Sequence, residues 1–418
     1  MRHTFRKINE AEFSDYVRTM FWSAGRIVDD EFIRERRAAT QIDGAFGLFS
    51  QSNMVATIGT KQIQISVPGG EIVPLLVIGQ GGVLPGHQGR GLMREMMTQT
   101  LEGARRSGFS LCGWTTSEWP LYERYGGGPA TYVSSFSVQN RRTRIRANLL
   151  SNDLTCELIE SATALNLISD LHKKSVESGQ CIVSRERSYW EPVFERLNKG
   201  KSLDYLSVST GRPQPFFMVC KNRDNYPCGL AVYRVYSKWE DGLSKSELEL
   251  LFLISVDVES TIALYNQLMN LPLIEELHLP FRPYNEVLKW AVADGRRIIQ
   301  RSTSDHVWLR IVDVRKALEK RSPGFLVGSL VIEVVDDHFS EIGRFEVSPN
   351  GDKLKVEKTS RSPDVKLDVS ALSSVYLSGS QLASFAHTKR ISFSSKEKYS
   401  QLASLFYVEN EPYIDTDF

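Results

Sequence analysis

Val83-Leu-Pro-Gly-His-Gln-Gly-Arg-Gly-Leu92 is the stretch on which the reading of this 418-residue chain turns. It stands between two segments of opposite pattern. Before it, residues 72–83 carry the run Val-Pro-Leu-Leu-Val-Ile, apolar without alternation, which predicts a strand covered on both faces. After it, Leu92, Met96, Met97, Leu101 and Ala104 recur at helical spacing, with Glu95, Glu102, Arg105 and Arg106 off that face. A helix that starts directly after a glycine-rich loop leaves the N–H groups of its first turn without intrahelical acceptors, and the helix dipole strengthens their attraction for an anion. Glycine lets a phosphate approach the backbone, and Arg90 or Arg94 can pair with its oxygens. Two rival phosphate loops fail on residue type. No Gly-Lys-Ser/Thr ending supplies the lysine and hydroxyl of a nucleoside triphosphate loop. Gly89-Arg-Gly91-Leu-Met-Arg94 also lacks the third glycine of a dinucleotide loop, and no acidic residue ends a strand about 20 residues on.

Working outward, residues 10–26 read as a helix, and 45–49 and 54–67 as strands meeting at Gln51-Ser-Asn53. Downstream, Ser107-Gly108 closes the helix and 109–115 is the next buried strand. Ser117-Glu118 has the composition of a helix start, Gly126-Gly-Gly-Pro129 stops that short helix, and 131–138 alternates as a closing strand. The basic run Arg141-Arg-Thr-Arg-Ile-Arg146 reads as a solvated linker. At this length two or three domains are expected, and we place them at 1–140, 141–305 and 306–418. The middle segment repeats the first: a helix at 161–178, strands at 216–220, 229–237 and 248–256, then a helix at 260–269. Where the first has a glycine loop, it has Asp257-Val-Glu-Ser260, which puts acidic groups where a phosphate would sit. The third opens near Trp308-Leu-Arg-Ile311 and shows strands at 328–335, 344–347 and 354–358, then helices at 369–377 and 397–405. No catalytic motif lies in it, and an antiparallel sheet with helices on one side is the expectation.

Composition narrows the function classes. Apolar residues at 41% and charged residues at 24% are those of a globular protein. With 51 Lys and Arg against 50 Asp and Glu, no bulk field favours nucleic acid or an anionic membrane. The first ten residues are too charged for a secretory signal and no apolar run reaches about 18 residues, so a cytoplasmic address without membrane insertion is expected. The five cysteines, Cys112, Cys156, Cys181, Cys220 and Cys228, form no C-x-x-C pair and read as small buried apolar residues. The seven histidines have no metal-ligand spacing, and no metal is expected.

The second constellation is Thr116-Ser-Glu-Trp-Pro-Leu-Tyr-Glu-Arg-Tyr-Gly126, following the strand after the loop helix. The loop resembles the pyrophosphate loop of the GNAT superfamily of N-acetyltransferases. Ser117, Glu118, Leu121, Tyr122, Arg124, Tyr125, Gly126, Gly128, Pro129, Ala130 and Thr131 together resemble the Eis ("enhanced intracellular survival") acetyltransferases. The resemblance extends over the full length, through Trp308-Leu-Arg-Ile311 to Asp417-Phe418, and is strongest from 80 to 135.

The resemblance implies an α/β (α+β) fold: two GNAT-like domains, the second without cofactor, then a sterol-carrier-protein-like domain, assembled as a homohexamer. It implies acetyl-coenzyme A as co-substrate, held at Gly81, Gly82, Val83, Gly89, Arg90, Gly91, Leu92, Met93, Arg94, Ser117 and Glu118. Tyr122 becomes the general acid and the terminal carboxylate of Phe418 the general base. The implied reaction is acetyl transfer to a primary amine of a cationic acceptor such as an aminoglycoside. A protein lysine or N-terminus is the alternative acceptor, and a lipid-binding protein on a non-catalytic GNAT scaffold is the alternative of another class.

These roles suit the chemistry. Attack on a thioester needs a neutral amine, a donor for the developing oxyanion and a proton for the departing thiolate. A backbone N–H near Val83 suits the second task, and a phenol with a reference pKa of about 10 lies close to an alkyl thiol. A terminal carboxylate, at about 3.5, must be raised by burial or act by positioning the ammonium. Three departures stand out. The family's Arg-Arg-Arg-Gly loop is here Gln88-Gly-Arg90-Gly, Gln80 replaces an aromatic of the acceptor pocket, and 26–31 does not align with the acceptor-binding acid.

Overall fold

The computed structural model describes residues 3–140, 143–179, 181–203 and 211–414. They fall into two compact units, one drawn from residues up to Thr131 with His306–Glu409, the other from Tyr132–Asp305 with residues 410–414. In the first unit seven strands lie in the order His3–Lys7, Ala45–Ser50, Asn53–Ser66, Ile72–Val83, Leu111–Trp114, Trp308–Ile311 and Gly128–Pro129. Among these neighbours only Ile72–Val83 and Leu111–Trp114 run parallel. A parallel pair requires a crossover, and helix Leu92–Arg106 supplies it, burying Leu92, Met96, Met97, Leu101 and Ala104 as their spacing predicts. Each large side chain on that face contributes about 1.5–3 kcal/mol of burial. The helix start is thereby anchored, and with it the glycine loop.

One expected strand goes elsewhere. Residues 131–138 do form a strand, Tyr132–Gln139, but it lies in the second unit's sheet between Ile298–Asp305 and Ile274–Pro283. The place beside Leu111–Trp114 is taken by Trp308–Ile311, which sequence reading put at the head of the third segment. The reason is physical: alternation tells which face of a strand is buried, not which strand lies beside it. Trp308–Ile311 is buried at all four residues. Its Arg310 is fully buried and reaches Asp336 at 2.6 Å.

The first unit also holds a five-stranded sheet, ordered Lys353–Lys358, Glu341–Asn350, Leu330–Asp336, Val365–Asp368 and Ile391–Phe393. It is mixed, not antiparallel as expected, because Leu330–Asp336 and Val365–Asp368 pair in parallel. Helix Val369–Val375 buries all seven of its residues. Ser370 donates its hydroxyl to the Gly127 carbonyl at 2.7 Å, and a Cβ on Gly128 would lie 2.1 Å from Ser374 Oγ. The glycine run at 126–128 therefore does more than stop a helix; it admits this neighbour.

In the second unit seven strands run Ile298–Asp305, Tyr132–Gln139, Ile274–Pro283, Ser246–Ser255, Pro227–Tyr236, Phe216–Lys221 and Thr155–Ile159. Both faces are covered. Leu230 and Val232 pack with helices Ser161–Glu177 and Arg187–Asn198, while Ala231 and Tyr233 pack with helix Val258–Met269. Helices Asp30–Ala39 and Arg187–Asn198 were not anticipated. The first carries five Arg or Glu side chains that mask the buried Phe32 and Ile33, and the second contains Pro192.

Candidate active site

The site begins where two parallel strands part. Pairing between Ile72–Val83 and Leu111–Trp114 ends at Val77 with Gly113. On its other edge Ile72–Val83 stays paired with Asn53–Ser66 as far as Val83 with Ala56. Residues 78–83 thus face an opening with no strand beside them. Within it the strand bulges: Thr57 pairs with Gly82 and Gly59 with Gly79, so Gln80 and Gly81 together oppose Ile58. Gln80 adopts φ 53°, uncommon for a residue with a side chain. The Thr57 hydroxyl donates to the Gln80 carbonyl at 3.0 Å, and the Tyr16 hydroxyl donates to Gln80 Oε1 at 2.7 Å. A bulge re-aims the backbone groups beside it, here those of Gly81, Gly82 and Val83. Gly82 has no alternative, since a Cβ would lie 2.0 Å from Ser23 Oγ at the end of helix Phe13–Ser23.

The glycine loop follows. Gly89 and Gly91 have φ of 72° and 79°, the left-handed region that favours glycine. A Cβ at either would meet nothing within 4 Å, so the space in front is open. Gly91 caps the helix with no side-chain hydrogen bond, and the first helical bond runs from the Glu95 N–H to the Gly91 carbonyl at 3.0 Å. Among the described residues no acceptor meets the N–H groups of Leu92, Met93 and Arg94. These three donors, at the positive end of the helix dipole, suit an anion with several oxygens. Leu92 offers only its backbone, its side chain being in the core. Gln88 Nε2 donates to the Val83 carbonyl at 3.1 Å, and Arg90 donates to the Gly86 carbonyl at 3.0 Å. Gln88 is tied to the bulged strand in place of a phosphate-seeking cation.

Tyr122 sits on helix Trp119–Glu123, its ring centroid 5.9 Å from that of Trp114. Val83, Met93 and Tyr122 pack against one core cluster that includes Ile78, Leu92, Met96 and Trp114, so strand, loop helix and tyrosine share a foundation. The Tyr122 side chain is half-buried, and its hydroxyl makes no hydrogen bond among the described residues. Burial, then the neighbouring Tyr125 and Glu118, push its pKa above the ordinary tyrosine value. It therefore holds its proton at neutral pH. The expected Ser117-Glu118 cap does not form. Glu118 precedes the helix without a side-chain cap, and the Thr116 hydroxyl instead accepts the Glu118 N–H at 3.1 Å and donates to its carbonyl at 3.0 Å. Ser117 is exposed.

Near the end of helix Phe13–Ser23 two of three clustered carboxylates are committed. Asp29 accepts the Phe32 N–H at 2.8 Å and Asp30 pairs with Arg18 at 2.7 Å, while Glu31 is exposed with no ion pair among the described residues. Phe418 lies outside the described residues.

A GNAT acetyltransferase domain family matches residues 4–130, a second one matches 181–311, and a sterol carrier protein domain family matches 314–415. The N-acetyltransferase Eis of Mycobacterium tuberculosis is 24% identical over 383 residues, 88% of each chain. The chain thus carries GNAT acetyltransferase domains and is similar to the Eis N-acetyltransferases over most of its length. An uncharacterized N-acetyltransferase of Streptomyces griseus is 27% identical over 378 residues, 90% of this chain and 89% of the relative. In fold, Eis1 from Mycobacterium abscessus superimposes with a TM-score of 0.83 over 100% of both chains at 24% identity. The architecture is thus two GNAT domains and a C-terminal sterol-carrier-protein-like domain, and the protein is an N-acetyltransferase.

The GNAT fold implies acetyl-coenzyme A, and this chain has residues that fit it. Three unanswered N–H groups and a loop with no Cβ in front match the donor set a pyrophosphate needs. Among the described residues no group of three His, Cys, Asp or Glu gathers to hold a metal ion, and no helix is long and apolar enough to cross a membrane.

Proposed function

We propose that the chain transfers acetyl from acetyl-coenzyme A to a primary amine of a cationic, multi-amine acceptor of the aminoglycoside kind. The observation that carries the reading is the set of free N–H groups at Leu92, Met93 and Arg94, beside the bulged strand and on the same core cluster as Tyr122. Bound there, acetyl-coenzyme A supplies the activated carbonyl carbon. The loop and Arg94 hold its pyrophosphate, with Arg90 beside them, and Gly81, Gly82 and Val83 offer backbone groups along the opening. A backbone N–H near Val83 steadies charge developing on the carbonyl oxygen. Ser117 and Glu118, between strand Leu111–Trp114 and helix Trp119–Glu123, complete the cofactor contacts of this reading. The Tyr122 hydroxyl, protonated and otherwise unengaged, would give its proton to the leaving sulfur, and the proton shed by the acylated amine nitrogen would restore it.

The test is an amine panel of kanamycin-like compounds, polyamines and lysine peptides, assayed for coenzyme A release. Fastest release with the aminoglycosides supports the reading, and fastest release with lysine peptides replaces the acceptor. The absence of both coenzyme A release with every amine and a thermal shift with acetyl-coenzyme A would sink it.

A further inference from the structure

Three of the five cysteines, scattered in sequence, come together at one end of the second unit's sheet. Cys156 and Cys220 stand directly opposite each other across strands Thr155–Ile159 and Phe216–Lys221, in side-chain contact. Cys228 lies on Pro227–Tyr236 where the register slips: Pro227 pairs with Lys221 but Gly229 with Cys220. The extra residue brings the Cys228 sulfur to 3.6 Å from the Cys220 sulfur and 3.3 Å from its carbonyl. Gly229 keeps that place clear, since a Cβ there would lie 3.6 Å from Cys220 Cβ and 2.9 Å from Leu264. Cys220 is fully buried, Cys228 is 7% exposed and Cys156 is half-buried. Cys112 and Cys181 share none of these contacts. Four of the five cysteines are buried, as the sequence reading has them, and Cys156 is half-buried.

We propose that Cys220 and Cys228 form an oxidation site, at which a hydroperoxide converts the two thiols to a disulfide. The Cys228 sulfur attacks the peroxide oxygen, the O–O bond breaks, and a sulfenic acid forms as water or an alcohol departs. The Cys220 sulfur then attacks the sulfenic sulfur and releases water, so two thiols give up two electrons and two protons and the peroxide is reduced. Contact with Cys220 draws the Cys228 thiol below the ordinary cysteine value and so favours the reactive thiolate there. Both sulfurs already lie on the same face, and closure joins adjacent strands across the short turn between them.

The test uses the full chain, treated with hydrogen peroxide, denatured, alkylated and mapped by peptide mass spectrometry. The expected result is the loss of two of the five alkylatable thiols and a Cys220–Cys228 linked peptide, reversed by dithiothreitol, with Cys112 and Cys181 still alkylated. The Cys156→Ser variant should keep the linkage, and Cys220→Ser should leave a sulfenic acid at Cys228 that a dimedone probe traps. Five alkylatable thiols after exposure that oxidises a small free thiol would overturn the proposal. So would a Cys156–Cys220 linkage in its place. The parent mapping stands alone if a variant fails to fold.

Discussion

Two helices, each following a buried strand that parts from its parallel neighbour, mark the difference between the two GNAT domains. In the second, pairing of Ser246–Ser255 with Ile274–Pro283 stops at Glu249 with His278, so an opening is kept. But helix Val258–Met269 is capped by its own chain: Asp257 accepts the Ser260 N–H at 2.7 Å, with Glu259 in the first turn. An anion would meet a carboxylate and an answered donor. In the first domain Gly91 stands at the equivalent cap with no side chain, and three N–H groups wait. The short helix that follows reinforces the contrast, since Trp119–Glu123 carries Tyr122 and Leu288–Ala291 carries no tyrosine. The fold supplies the opening twice, and side chains decide which one works.

The comparison can be broken in four ways. Tyr122→Phe should have the largest effect, lowering kcat by roughly 10²–10⁴-fold, the usual contribution of a general acid. The KM for acetyl-coenzyme A should stay near the parent value, because the lost proton is needed only as the sulfur leaves. Steady-state kinetics decide it, and equal rates would end the role. The same experiment has a pH arm. Since burial raises the Tyr122 pKa, the proton donor should persist as pH rises through about 10, the ordinary tyrosine value. A Tyr122-dependent fall in kcat centred well below that would contradict the assignment.

Gly91→Asp imposes the second domain's carboxylate on the first. It should weaken acetyl-coenzyme A binding by about 100-fold, or ~2.8 kcal/mol, by placing a negative charge in the anion cradle at a left-handed residue that aspartate tolerates only at some cost. Calorimetry would report it. The reverse change, Asp257→Ala, should cost about 1 kcal/mol of stability through the lost cap, read by urea denaturation, and leave turnover unchanged. The smallest effect belongs to Gln88→Arg. It gives up one hydrogen bond to Val83 and adds one exposed cation, for a gain in acetyl-coenzyme A affinity of about 2–5-fold that fades with salt.

Much of this contrast was legible in the sequence. Apolar spacing gave the helix at 92–106 and the buried strands on either side, and the glycine-free Asp257-Val-Glu-Ser260 stands at the start of the second domain's helix, where Asp257 caps it. The short helix expected after residues 117–118 is also present, as Trp119–Glu123, and carries Tyr122. What could not be read depends on distant partners. The exchange of Tyr132–Gln139 for Trp308–Ile311 leaves no local trace, since a strand's own pattern does not say which strand lies beside it. The glycines at 126–128 read as a helix stop because helix Val369–Val375, which needs their bareness, is more than 240 residues away. The meeting of Cys156, Cys220 and Cys228 depends on a register slip that no spacing rule encodes.

The central claim is that one of two similar openings binds acetyl-coenzyme A, and stoichiometry tests it most directly. Isothermal titration of the full chain with acetyl-coenzyme A should give one site per chain, retained in Tyr122→Phe and Asp257→Ala and lost or severely weakened in Gly91→Asp. Two sites per chain, or undiminished binding by Gly91→Asp, would contradict the account.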